Sequence, residues 1–479
     1  LCSLTLLGRS SRSHNDIVIS MNRPRSVPNL LVLGIAALGV LSVAVSCDLD
    51  PTNENNPTED QTLSTAQGIR TLTVGMQELY ATDALNATIP RGVGITSREI
   101  AVNNTFSNLI EMERGGTDLS ISNSNVEAIW SANYRVVGAA EDIIENAPQV
   151  NLSASTESGI VATARLFKAM ALGNIGLSFE QAPTTTRRDG TAEFVPNEQV
   201  LQEAVTLLNG ALSALDDTAP SDEFSNSVLS ISVSGGTPVE GLRNVIHAYR
   251  ARFNGVIGNN TAAITAANQV DPTITSTFSY DDQSQNPFWQ ELVQSEDLAL
   301  RDSLGSNLTE PGDERIEFFA DPVGETSTPN GLPIEDPAGF YATASTPVPL
   351  FVPGEMPLIR AEAKLNSGAP LAQVVEEIDS VRTDASGDDI PSPFGIAAGL
   401  PPYDETGRPT TEAALQTEIL RQRRAELYLQ GTSLADSRRL GGEVSDREDP
   451  GTFERNRNFY PYPDQEQRNN PNTPPSPNF

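Results

Sequence analysis

Val200, Leu201, Ala204, Leu207, Leu208, Ala211, Leu212 and Leu215 follow Pro196 at three- and four-residue intervals. That spacing lines one face of an α-helix with apolar side chains and leaves the other face polar. The same period returns along most of the chain. Ile69, Leu72, Met76 and Leu79 form one stripe. Val126, Ile129, Trp130, Tyr134, Val137 and Ile144 form a second, and Ile160, Ala164, Phe167 and Ala171 a third. Leu242, Val245, Ile246, Tyr249 and Phe253 form another. Ser64 with Gln67, and Ser124 with Glu127, read as capping boxes. Thr237-Pro238-Val239-Glu240 combines an N-cap, a first-turn proline and a reciprocal glutamate. Pro148 is expected to end the helix before it.

These stripes predict two antiparallel pairs, 125–146 with 156–178 and 197–216 with 238–257. Further helices are expected over 355–366, 370–383 and 411–430. No strand-rich block competes. A single helix pair cannot bury its own apolar face, so the pairs must stack. The fold class is mostly α: a tetratricopeptide-like helical-hairpin scaffold with long loop-rich insertions in the second half. Those insertions, 272–350 and 384–410, are rich in Pro, Gly, Ser, Thr, Asn and Asp. They are expected to order against the helices, because Phe288, Trp289, Phe318, Phe319, Phe340 and Tyr341 would otherwise be exposed.

The N-terminal region carries targeting information. Arg23 and Arg25 follow Met21, and a charge-free run extends from Leu30 to Val45. Small residues Ala44-Val45-Ser46 then precede Cys47. This is the order of a secretory signal, and the run is short for a membrane span. Cys47 at the cleavage position resembles a bacterial lipobox, with Ala44 where that pattern usually has Leu. The expected organisation is 1–20 as a mis-called upstream extension, 21–46 as a lipoprotein signal peptide and 47–61 as an acidic polar spacer. Residues 62–270 then form the helical region, and 271–479 a C-terminal region of loops and further helices.

Cysteine and histidine are scarce: Cys2 and Cys47, His14 and His247. Beyond the signal only Cys47 and His247 remain, which excludes a disulfide framework, a cysteine metal site and a histidine cluster. His247 flanks its helical stripe and reads as a surface or structural histidine. The formal charge is −32, and residues 1–46 contribute +3 of opposite sign, leaving the rest near −35. Such a body repels nucleic acid and anionic membrane surfaces.

The start Cys47-Asp48-Leu49-Asp50-Pro51-Thr52-Asn53-Glu54-Asn55-Asn56-Pro57-Thr58 resembles the mature N-terminus of the SusD/RagB family of outer-membrane lipoproteins. Trp130-x-x-x-Tyr134, with Ala140 and Ile143, is similar to that family's early helix. Arg360-Ala361-Glu362-Ala363 resembles its R/I-x-A-E-A segment. Arg423, Glu426, Leu427, Gly431, Asp436, Arg439 and Gly441 match its C-terminal helix and turn, with Gln422, Gln430 and Ser433 replacing Glu, Glu and Arg. Pro461-Tyr462-Pro463-Asp464-Gln465-Glu466 and Asn470-Pro471-Asn472 resemble its terminal signature. The resemblance implies a lipid-anchored, cell-surface protein of the outer membrane. It would bind oligosaccharides and deliver them to a SusC-type TonB-dependent transporter. Alternatives are a binding protein for peptides or other small nutrients, and a non-binding structural lid of the transporter complex. No cofactor and no nucleic-acid partner are implied.

Sugar binding calls for aromatic faces beside polar side chains. The candidates are Asn103, Asn104 and Phe106 in a polar loop, Tyr280, Phe288 and Trp289 in the central segment, and Arg91, within Pro-Arg-Gly-Val-Gly, projecting from a loop. Trp130 lies on a helical stripe and reads as core. Catalysis is not expected. Glu376-Glu377 and Asp388-Asp389 are chance neighbours in an acidic chain, and no phosphate loop, dinucleotide fingerprint or metal motif occurs.

Overall fold

Wherever the apolar period is strong, the chain is helical. The computed structural model describes residues 59–187, 189–306, 308–321, 326–329, 331–385, 393–441 and 455–478. Cys47, the segments 1–20 and 21–46, most of 47–61, and Asp388-Asp389 lie outside these residues. The longer helices are α1 (Ala66–Leu79), α2 (Ser107–Arg114), α3 (Ser124–Asn146), α4 (Ala154–Ser178), α5 (Asn197–Asp217), α6 (Pro238–Val256) and α7 (Asn260–Ala267). In the second half follow α8 (Glu355–Asn366), α9 (Leu371–Arg382), α10 (Glu412–Glu426) and α11 (Ser433–Leu440).

They stack in series. α1 packs on α3, α3 on α4, α4 on α5, α5 on α6, α6 on α7, α7 on α8, and α8 on both α9 and α10. Both predicted pairs are present, and the α4–α5 contact joins one pair to the next. α4 is long and apolar enough to cross a membrane by length and composition, but its neighbours bury it on all sides. A side chain on Gly173 would overlap the Phe253 ring, so glycine permits the close approach of α6 to α4.

Helix starts differ from the sequence reading in two places. Thr65, not Ser64, caps α1, its hydroxyl accepting from Gly68 N at 3.0 Å. Asn123, not Ser124, caps α3, accepting from Asn125 N at 3.0 Å. In each case the neighbouring residue has the extended backbone that aims a side-chain oxygen at the free N–H groups. The box at α6 forms in full: Thr237 N donates to Glu240 Oε2 at 2.7 Å, and Glu240 N to Thr237 Oγ1 at 3.3 Å. α3 ends at Asn146, just before Pro148.

Short strands that the sequence did not announce join the two halves of the chain. β1 (Ile100–Val102) pairs antiparallel with β2 (Leu298–Arg301), with Ile100 opposite Leu300 and Val102 opposite Leu298. β3 (Ile334–Pro337) continues that sheet from β2. Both β1 and β2 are buried at every position. Buried on both faces, they show no alternation, and at three or four residues they leave no periodic signal. As expected, the loop aromatics turn inward. Phe288, Phe319, Phe340 and Tyr341 are buried, and the Tyr341 hydroxyl donates to Tyr428 O at 2.7 Å. One apolar core runs from Ile69 to Tyr462 and includes side chains of the helical stack and of the loop-rich half.

Candidate functional site

The β1–β2 pair draws two distant segments together, 86–106 and 287–297. Asn103 N donates to Asp297 O at 2.8 Å, and Asn103 Nδ2 to Glu296 O at 3.2 Å. Asn104 Nδ2 donates to Asp297 Oδ1 at 2.8 Å, while Asn104 Oδ1 accepts from Phe106 N at 2.9 Å. Asn104 thereby fixes the backbone at the start of α2, where Phe106 is 57% exposed. Arg91 lies in a wide helical turn, Ile89–Gly94, and its guanidinium pairs with Glu291 at 2.9 Å. Asn86 Nδ2 donates to the same carboxylate at 3.0 Å. Three buried polar atoms of this trio have no hydrogen-bond partner among the described residues: Asn86 Oδ1, Arg91 Nε and Glu291 Oε2. Buried polar groups are normally bonded by protein or by ordered water, so these three atoms leave bonding capacity at the seam.

Of the seven sequence candidates, Arg91, Asn103, Asn104, Phe106 and Trp289 lie on this seam. Trp289 is half-buried and Val293, one turn on, is exposed. Tyr280 and Phe288 do not present a ring to solvent. The Tyr280 hydroxyl donates to Ala81 O at 2.9 Å, and burial raises its pKa. Phe288 is fully buried against Tyr341, ring centroids 4.7 Å apart. The reason is local. Asn286 accepts from Phe288 N and Trp289 N and donates to Phe340 O and Thr346 O, pinning the turn. Successive residues of a helical turn diverge by about 100°, so pointing Phe288 inward turns Trp289 outward. Glu377, one of the adjacent carboxylates, pairs with Arg360 at 2.8 Å and Lys364 at 2.7 Å, a helix-to-helix tie.

A second concavity was not anticipated. A cavity of about 380 Å³ lies between α3, the 183–192 loop and the C-terminal segment 463–470. Trp130 and Tyr134 form its aromatic wall, with centroids 4.8 Å apart. Trp130 is 7% exposed, as a core residue should be, yet it also faces this space. Its Nε1 donates to Glu466 at 3.3 Å, and Asn470 Nδ2 donates to the same carboxylate at 2.9 Å. The Tyr134 hydroxyl donates to Pro183 O at 2.6 Å. Burial, with the carboxylates of Glu466 and Glu141, raises the Tyr134 pKa and keeps the phenol neutral. Walls more than 300 positions apart in sequence leave no local motif for a pocket. The only hint was that the Trp130 helix and the terminal signature belong to one motif set.

No protein-family model and no curated protein matches the chain. Solved structures do. A SusD superfamily protein from Bacteroides thetaiotaomicron is 16% identical, with a TM-score of 0.62 over 86% of this chain and 100% of that one. A SusD/RagB family protein from the same organism is 14% identical, with a TM-score of 0.60 over 84% and 94%. A SusD-like carbohydrate-binding protein from Bacteroides fragilis is 14% identical, with a TM-score of 0.59 over 86% and 99%. The fold is therefore that of the SusD superfamily, a mostly helical, tetratricopeptide-like scaffold.

Proposed function

We propose that the protein is a binding protein, not an enzyme, which captures oligosaccharides at the seam. It then delivers them to a SusC-type TonB-dependent outer-membrane transporter. The observation that carries the reading is the seam itself. An exposed phenyl ring, a half-buried indole and three unpaired buried polar atoms lie on two hydrogen-bonded segments. Aromatic faces accept the C–H surface of a sugar ring, and polar groups beside them fix its hydroxyls. The relative from Bacteroides fragilis, described as carbohydrate-binding, supports the ligand class. The transporter, the outer-membrane location and the lipid anchor rest on the family resemblance and on the run before Cys47. Fractionation of a Cys47→Ala variant tests the anchor, which should leave the membrane for the soluble fraction. One acyl chain anchors only marginally, so multiple acylation is expected in the parent.

Calorimetry against a panel of oligosaccharides tests the site. Phe106→Ala and Trp289→Ala should each weaken binding about tenfold or more, the loss of one stacking face. Affinity should change little with salt, because neutral sugars release no counterions. Unchanged affinity in both variants, with the helical circular dichroism intact, would remove the seam from consideration. Binding of peptides but of no glycan would transfer the role to the other nutrient class.

A further inference from the structure

The cavity behind Trp130 has polar side chains of two kinds. One set holds its walls. Glu466 is bonded by Trp130 and Asn470, and Tyr134 by the Pro183 carbonyl. Arg135 pairs with Asp83, and Arg187 with Asp189, each at 3.0 Å. The other set is Glu127, Ser131, Thr185, Gln465 and Asn469. None of these five makes a side-chain hydrogen bond or ion pair among the described residues. The walls stand without them, and all five border the same space.

We infer that this cavity is a second carbohydrate subsite, one that takes a neutral mono- or disaccharide unit. The ring face would lie on Tyr134, and its hydroxyls on Glu127, Ser131, Gln465 and Asn469. Three features select that chemistry. The aromatic wall is flanked by Pro183, Pro463 and Ala192, which suits a C–H surface. The open groups are one carboxylate, two hydroxyls and two amides, a mixture of donors and acceptors that matches vicinal hydroxyls. The charges are mostly paired: Arg135 and Arg187 have carboxylate partners and Glu466 is bonded by Trp130 and Asn470, which leaves the Glu127 carboxylate as the unpaired charge and disfavours an anion. A volume of about 380 Å³ lies at the small end of ligand pockets, which limits the occupant to a short unit. No lining residue belongs to the seam, so this inference stands apart from the proposed function.

The two tryptophans of the chain separate the sites, since Trp130 lines the cavity and Trp289 the seam. In a Trp289→Phe protein, titration with maltose, cellobiose, xylobiose and mannobiose should produce a saturable change in Trp130 emission for at least one. Glu127→Ala with Asn469→Ala in that background should weaken this binding about tenfold or more, from two lost hydrogen bonds. Glu127 is half-buried and Asn469 exposed, neither has a side-chain bond to lose among the described residues, and circular dichroism should be unchanged. A disaccharide carrying a uronic acid should bind more weakly than its neutral counterpart. The inference is overturned if none of the four sugars gives a saturable response by fluorescence or by saturation-transfer NMR. It is equally overturned if the double variant binds as the parent does, or if dialanine saturates the signal and sugars do not. A Trp130→Phe protein reports the seam alone. Sugar response there, with silence at Trp130, would uphold the seam and reject the cavity.

Discussion

Replacing Glu355 by alanine is expected to destabilise the protein by about 3–5 kcal/mol, the cost of stranding a buried charge. Glu355 opens α8 and is fully buried. Arg252, on α6, meets it with two bonds, Nε to Oε1 at 2.8 Å and Nη2 to Oε2 at 2.7 Å. The same guanidinium lies 4.6 Å above the Tyr249 ring. Arg423 of α10 approaches Glu355 at 3.7 Å and bonds Asp436 of α11 at 2.9 Å. One carboxylate thus ties the helical stack to the C-terminal helices. Its loss leaves Arg252 buried with no acid in contact among the described residues. Urea denaturation of Glu355→Ala measures the cost. Arg252→Met with Glu355→Leu should lose less than either single substitution, because that pair leaves no charge unanswered. A Glu355→Ala protein as stable as its parent would show that the joint carries no net electrostatic stabilisation.

Half of this joint was readable from the sequence. Arg423, Glu426, Asp436 and Arg439 stand at motif spacings on neighbouring helices, and Arg423 and Arg439 both reach Asp436. Gln422, which replaces an expected acid, still accepts from Arg315 Nη2 at 2.7 Å. Arg252 and Glu355 belong to no local pattern, because their pairing depends on how α6 and α8 stack. The same contrast holds elsewhere. α8 and α9 fall almost where the apolar period puts them, since that period is a property of each helix alone. At the seam, adjacent Phe288 and Trp289 have opposite fates that composition cannot distinguish. The choice is made by Asn286, whose partners lie in the 340–346 segment. Arg91 stands in the helical turn Ile89–Gly94 rather than in the expected loop, and its partner Glu291 lies 200 positions away.

Stability should also fall with acid in a way traceable to one side chain. His247 sits half-buried on α6, with Arg250 Nη1 3.2 Å from its Nδ1 and Arg243 nearby. Burial first, and then the two guanidiniums, push the imidazole down to about 4, against a weaker opposite pull from Asp216. A histidine with a depressed folded pKa contributes full stability above its unfolded value, about 6.5, and loses it as pH falls toward the folded value. Between pH 6.5 and 4.5 the loss should reach roughly 1–2 kcal/mol, less than the whole shift because solvent screens a half-exposed ring. Glu426 acts in the opposite sense across this window. Burial raises its carboxyl to about 7, so acid relieves it. Glu310, held at about 2 by Arg382 and Arg408 despite partial burial, begins to lose its contribution as pH falls through the ordinary carboxylate value, about 4.5. The wild-type profile therefore mixes opposing slopes, and the comparison with His247→Gln isolates the histidine. The stability difference between the two proteins should be flat above pH 7 and shift against the wild type below 6.5. His247 is the only histidine among the described residues, so its ring proton can be followed directly by NMR. A midpoint near 6.5 would mean that water reaches the ring in solution and that the acid sensitivity has another source.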